Sequence, residues 1–197
     1  MQSISQTTFK TALTILSTAF KDNPSVLWVV KKDHKINNRI TVLCSFCLKV
    51  AIEKKGAFIT DDQKGVALLI KSWKRQSPFS WLTGYLRLGQ YCIGWNRAYS
   101  IIKREQRIQE RRPKTRHLYF WMLAVKDHTY GLETIKAIRD FVFAYSEKEK
   151  LPIYAETTMK STLNLYLRYG FEIYDTWETG VEGITVYFIR RDWKKCQ

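Results

Sequence analysis

The chain has 197 residues, a length that suits one domain, or a domain with an attached helical subdomain. Its 45% hydrophobic and 14% aromatic content excludes a disordered chain, and no apolar run approaches the ~20 residues of a membrane span. Lys and Arg number 33 against 18 Asp and Glu, and this net charge of +15 favours acidic partners without choosing among nucleic acid, an anionic membrane surface and a polyphosphate cofactor.

The opening stretch has neither a charged n-region nor a small-residue cleavage site, so the expected location is cytoplasmic. Residues 5–21 place Phe9, Leu13, Ile15, Leu16 and Phe20 near helical spacing, with Ser5 to cap the start. "DNP" at 22–24 breaks that pattern. A second helix spans 37–56 and is ended by Gly56. It carries Cys44 and Cys47 as a C-x-x-C, but His34, His117 and His128 are scattered and give no second ligand pair. The two cysteines read as small hydrophobes, and no metal is expected. "AFITD" and "GVALLIKSW" then flank "DQK" as a hairpin.

Pro78 opens an apolar, helical segment. Residues 95–112 form an amphipathic helix, with Trp95, Tyr99 and Ile102 on one face and Arg104, Arg107 and Arg111 on another. Pro113 ends it, because proline disfavours helix at the residue before it. "HLYFWMLAV" at 117–125 is almost wholly apolar and suits a central strand covered on both faces. A helix from about Thr134 to Lys148 follows, then a strand at 151–158, a short helix at 161–170 with a C-terminal glycine, and two closing strands around "GVEG". The fold class is α/β or α+β with one sheet.

The second half, taken in order, resembles the GNAT superfamily of acyl-CoA-dependent N-acyltransferases. The resemblance rests on "HLYFWMLAV" (117–125), "YGLETIKAIRDFV" (130–142), "PIYAETT" (152–158) and "LYLRYGFE" (165–172). "AFKDNPSVLWVV" (19–30) and "GAFITDDQKGVAL" (56–68) extend it to a subgroup and to nearly the whole chain. It implies one GNAT-like domain over 1–197. Residues 1–115 would supply N-terminal helices, the hairpin and acceptor-side helices; residues 116–197 would form the acyl-CoA-binding core. It implies a mixed, splayed sheet with acetyl-CoA in a notch between the strands at 117–125 and 152–157, and an amine as acceptor.

The same resemblance assigns residues. Backbone groups near Leu123, Ala124 and Val125 would pair with the pantetheine arm. Tyr166 matches the family tyrosine that protonates the leaving thiolate; its other reading is a packing aromatic beside Tyr169 and Phe171. Glu156, late on the second notch strand, is the candidate base, or else a strand-end acceptor of backbone hydrogen bonds. The pyrophosphate loop departs from the family pattern. Tyr130 stands where glutamine or arginine is usual, Glu133 where the first glycine is, and Ile135 where glycine or alanine is. Gly131 falls on a spacer, with Leu132 and Thr134 as the remaining loop positions. At ~5 Å a glutamate would repel each phosphate charge by ~1 kcal/mol in water and ~3 at an effective dielectric of 20.

Two other functions stay open at this level. One is a catalytically silent GNAT-like interaction module with weak or no CoA binding. The other is a nucleic-acid-binding protein run by charge, for which 103–116, with seven Lys/Arg against two Glu, is the candidate segment. A basic helix face is otherwise solvated surface, or in this fold a reach toward the 3′-phosphate of the nucleotide.

Overall fold

A computed structural model describes residues 1–74, 77–126, 131–180 and 184–194. The short strand β1 (Gln2–Ser3) leads into α1 (Gln6–Ala19), α2 (Pro24–Val29) and α3 (Ile36–Glu53). The hairpin β2 (Ala57–Ile59) and β3 (Gly65–Lys71) follows. Next come α4 (Pro78–Leu88), a π-helical turn at Gly89–Ile93 and α5 (Trp95–Arg111). The second half runs β4 (Leu118–Val125), α6 (Gly131–Glu149), β5 (Ile153–Thr157), α7 (Lys160–Arg168), β6 (Glu172–Glu178) and β7 (Thr185–Arg191).

Local chemistry explains most element ends. Ser5 caps α1 through a reciprocal capping box with Thr8, and Asn23 accepts from the Ser25 and Val26 amides with Pro24 in the first turn of α2. The end of α3 differs from the expectation that Gly56 is its left-handed cap. Lys55 takes that conformation (φ 56°), and the Gly56 amide closes back onto Ala51. Gly56 is required for space instead: a Cβ there would lie 2.3 Å from the Leu69 carbonyl oxygen. In α7 the cap is the expected one. Gly170 has φ 80°, its amide reaches Leu167, and the Phe171 amide reaches Tyr166. A cap of this kind brings the residue after the glycine onto the residue four positions before it. Phe171 and Tyr166 accordingly meet with ring centroids 4.9 Å apart, so the tyrosine-x-x-x-Gly-Phe motif is a helix terminus that fixes the Tyr166 ring.

The seven strands form one sheet in the order β1-β2-β3-β4-β5-β7-β6, antiparallel except between β4 and β5. This is the mixed, splayed sheet flanked by helices that the resemblance implies. One face packs α6 and α7, through Ile138, Val142, Leu163 and Tyr166, on Ala67, Leu69, Leu118 and Phe120. The other packs α1 and α3, through Ala12, Leu16, Cys44 and Leu48, on Val66, Leu68, Met122 and Ala124. Ile108 of α5 covers Val186 and Phe188 beyond them.

Phe120 and Met122 thus serve opposite faces, although period two would put them together. A β-bulge is the reason. Leu68 faces Met122 and Leu69 faces Phe120, which leaves Trp121 opposite no residue of β3. The strand is also less enclosed than its composition predicts. Leu118, Phe120, Met122 and Ala124 are buried, while Tyr119, Trp121, Leu123 and Val125 are half-buried and border a cleft.

Candidate functional site

The parallel strands β4 and β5 pair at Leu118 with Ile153 and Tyr119 with Tyr154. Past that point β4 stays with β3 as far as Val125, and β5 stays with β7 as far as Thr157. The strands therefore diverge, and their facing edges carry backbone N–H and C=O groups with no ladder partner across the gap. A cleft of about 1860 Å³ passes through the divergence. Trp121 to Val125 form one wall; Thr157, Thr158, Leu165 and Tyr166 form the other.

Leu123, Ala124 and Val125 all line this cleft, with the Ala124 side chain turned into the α1/α3 core. The helix α6 starts at Gly131, earlier than the Thr134 expected. Gly131 is buried, Leu132 is exposed, and Glu133 stands exposed in the first turn, where a carboxylate interacts well with the helix dipole. Thr134 is buried against β3, and Ile135 faces the cleft. Tyr130 lies outside the described residues. A Cβ on Gly131 would meet Ile135 and Val125 only at 3.9 and 4.0 Å, so space does not demand glycine there.

Tyr166 is 9% exposed, packed edge-on against Phe120 and Phe171, and it borders the cleft. Burial raises its pKa, which keeps the phenol protonated. The ring is thus a packing aromatic, and its protonated phenol lies on the wall that faces the open β4 edge. On the same wall the Thr158 hydroxyl is buried without a hydrogen-bond partner.

Glu156 also borders the cleft, but its partners are side chains rather than backbone. Arg112 Nε donates to Oε1 at 2.7 Å, Arg112 Nη2 lies 3.3 Å from Oε2, and Tyr119 donates to Oε2 at 2.6 Å. Arg112 also stacks over the Tyr119 ring at 3.9 Å. Burial opposes the Arg112 charge, but Tyr119, Glu156 and Glu105 around it more than offset that and hold its pKa above the usual value. Glu105 of α5 is the second carboxylate here, 3.8 Å from Arg112. Its accessible surface opens into the cleft, and burial pushes its carboxyl pKa up against the pull of Arg112. His117 is at the closed end, where its Nδ1–H donates to the Thr115 carbonyl at 2.7 Å and burial lowers its pKa. Arg112, Tyr119, Glu105, Thr158 and the Trp121 bulge had no signal in the sequence pattern, since each matters only through what the fold places beside it.

The arginines of 103–116 are largely spent on packing. Arg104 stacks over Trp28 at 5.0 Å; Arg107 and Arg111 stack over Trp177 at 5.8 and 5.4 Å, with Arg111 3.1 Å from Asp175. Of the apolar face read for α5, Tyr99 and Ile102 are exposed, whereas Ile108 is buried. Arg104 and Arg111 are half-buried against aromatic faces and Asp175, while Arg107 stays exposed at the edge of Trp177. Residues 112–117 enter the N-terminal end of β4, about 23 Å of strand away from Val125, so this end of the segment is remote from the α6 end of the notch. Cys44, Cys47 and Cys92 are free and buried, with Cys44 and Cys92 pushed up to about 12 by burial, and no cluster of three metal-ligating side chains occurs among the described residues. No helix of the described residues is long and apolar enough to cross a membrane.

No protein-family model matches the chain, and no curated protein does. Solved structures do. An HPA2-type histone acetyltransferase and related acetyltransferase from Corynebacterium glutamicum aligns over 97% of this chain and 94% of its own at 18% identity, TM-score 0.65. The C-terminal condensation domain of Ebony, in complex with beta-alanyl-dopamine, aligns over 97% of both chains at 11% identity, TM-score 0.68. Arylalkylamine N-acetyltransferase 2 from Aedes aegypti aligns over 98% and 97% at 12% identity, TM-score 0.63. The likeness runs through the N-terminal helices as well as the second half, and at these identities it shows the fold: the chain has the GNAT fold.

Proposed function

We propose that the protein is an N-acyltransferase that moves an acetyl group from acetyl-CoA to an amine by direct attack in a ternary complex. The observation that carries this is the unpaired β4 edge beyond Tyr119, facing a wall that holds the protonated Tyr166. The residues present suit an acyl-CoA at three points. The open edge of Leu123, Ala124 and Val125 can pair with the amide-bearing pantetheine arm. The Tyr166 phenol can face the sulfur. The partnerless Thr158 hydroxyl can take up a further polar group. The first-turn amides of α6, among Gly131 to Ile135, would face the pyrophosphate, with Tyr130 preceding them and Glu133 opposing the charge.

The chemistry asked of the chain is limited. The amine lone pair attacks the thioester carbon, the carbon–sulfur bond breaks, and Tyr166 gives its proton to the departing sulfur. Glu156 takes the proton that the nitrogen sheds, directly or through water, while Arg112 and Tyr119 fix its orientation, and solvent returns a proton to the Tyr166 phenolate. An amine acceptor is also supported by the names of the like-folded transferases. No metal is needed for these steps. The buried, free thiols of Cys44, Cys47 and Cys92 support a reducing compartment, and we read the location as cytoplasmic.

Calorimetric titration with acetyl-CoA tests this reading. Saturable binding, and stabilisation of the fold by ~2.7 kcal/mol at ~100 times the dissociation constant, are expected. No heat and no thermal shift at millimolar ligand in low salt would favour a silent GNAT-like interaction module instead.

A further inference from the structure

Two arginines of the cleft differ in one respect. Arg112 is met by Glu156 at 2.7 Å and Glu105 at 3.8 Å. Arg104, two helical turns earlier on α5, has no carboxylate within salt-bridge distance among the described residues, although it borders the same cleft. Its Nη2 donates to the Ser25 hydroxyl at 2.6 Å, and its guanidinium lies over the Trp28 ring at 5.0 Å. Burial lowers its pKa although Glu105, Glu156 and Tyr119 pull the other way at longer range, so its lost hydration is only partly offset. Arg97 approaches Trp28 as well, but it is occupied by the carbonyls of Trp28 and Val30.

A guanidinium offers five N–H donors in a planar fork that suits a carboxylate. Ser25 takes one of them and Trp28 holds the plane, so the fork is fixed in orientation while most of its donors meet no acceptor among the described residues. A desolvated, oriented cation of this kind costs stability unless an anion reaches it. Val26, Val29, Ile101 and Ile108 line the same cleft and would receive an apolar body. The adjacent Glu105, whose carboxylate opens into the cleft, supplies the opposite charge for an ammonium.

We propose that Arg104 anchors a carboxylate carried by the acceptor, so that the acceptor is an apolar amino acid or a similar amine bearing a carboxylate. This rests on the acyltransferase reading for the word acceptor, but the carboxylate site itself does not.

The test pairs amino acids with the amines that lack only the carboxylate: L-phenylalanine with phenethylamine, and L-leucine with 3-methylbutylamine. Binding to the full chain is measured calorimetrically, with and without acetyl-CoA. Each amino acid is expected to bind roughly tenfold to a hundredfold more tightly than its amine, as charge-assisted hydrogen bonds allow. Arg104→Met should abolish that difference while leaving the amines where they were, and Arg104→Lys should retain part of it. The comparison on the unaltered chain needs no variant to fold. Equal binding of acid and amine, binding of neither, or an equal loss of both in Arg104→Met overturns the proposal. If acetyl-CoA binds and the amino acids do not, this inference falls and the transferase reading stands. If the amino acids bind through Arg104 and acetyl-CoA does not, the transferase reading falls and the carboxylate site stands.

Discussion

The two sides of the cleft are built from different materials. The β4–β5 side works with backbone: an unpaired strand edge, a bulge at Trp121, and the Tyr166 ring set by a helix cap. The α5 side works with charge: Arg104, Glu105 and Arg112, the last bound to Glu156 and Tyr119 of the sheet. A backbone wall tolerates side-chain change, because its donors are the same in every sequence. A charged wall does not, because each of its groups depends on the particular side chains set around it. The first can bind a ligand common to many relatives, and the second can select one peculiar to this chain.

The harshest break is Arg112→Ala. It strands Glu156 and leaves Tyr119 without its stacked cation, at side-chain exposures of only 19% for Arg112 and 12% for Glu156. Removing one partner of a buried pair costs about 3–5 kcal/mol, and partial exposure brings the expectation to about 3. Denaturant unfolding measures it. A loss under about 1 kcal/mol would mean that the pair is ordinary surface electrostatics. The double change of Arg112 and Glu156 to Met and Gln should recover part of the loss.

Tyr166→Phe addresses the backbone wall and should separate chemistry from binding. Under the proposed mechanism turnover is expected to fall by about 10²-fold, with acetyl-CoA affinity nearly unchanged, since only the proton for the leaving sulfur is removed and the ring packing is kept. Unchanged turnover would leave Tyr166 a packing residue alone.

His117 marks where the two walls meet, and pH reads it. Its folded pKa lies below the ordinary 6.5 because of burial. As pH falls through 6.5 the unfolded chain takes the proton first, so the folded state loses stability until the folded pKa is passed. Each unit of depression is worth about 1.4 kcal/mol. Unfolding free energies between pH 7.5 and 5.5 should therefore decline in the parent and be flatter in His117→Phe. Parallel curves would remove His117 from the acid sensitivity.

The smallest effect is the sharpest on the nucleotide end. Glu133→Gly should lower apo stability by up to about 1–2 kcal/mol, through lost dipole interaction and glycine entropy. It should also tighten acetyl-CoA about tenfold in low salt, and less in high salt. A folded variant that binds no better would show that Glu133 does not oppose a phosphate.

The sequence carried the elements and the backbone wall. Helical periodicity with Ser5 at its start gave α1, and Pro113 closed α5 near where it ends. The apolar run at 117–125 gave the notch strand, and the tyrosine-x-x-x-Gly-Phe spacing gave the turn that fixes Tyr166. These are short-range matters of φ/ψ preference, capping and period, which neighbours along the chain decide. The charged wall was decided only by tertiary structure. Arg112 and Glu156 are 44 residues apart and Arg104 and Ser25 are 79 apart, so nothing local distinguishes them from surface arginines. The amphipathic pattern of α5 grouped Tyr99 and Ile102 on one face, and both are exposed in the fold. Hydrophobicity along one helix cannot foresee that aromatic rings and carboxylates from distant elements will draw Arg104, Arg111 and Arg112 into half-buried pairs. Pairing energy depends on distance and desolvation, and both exist only once the sheet and helices have met.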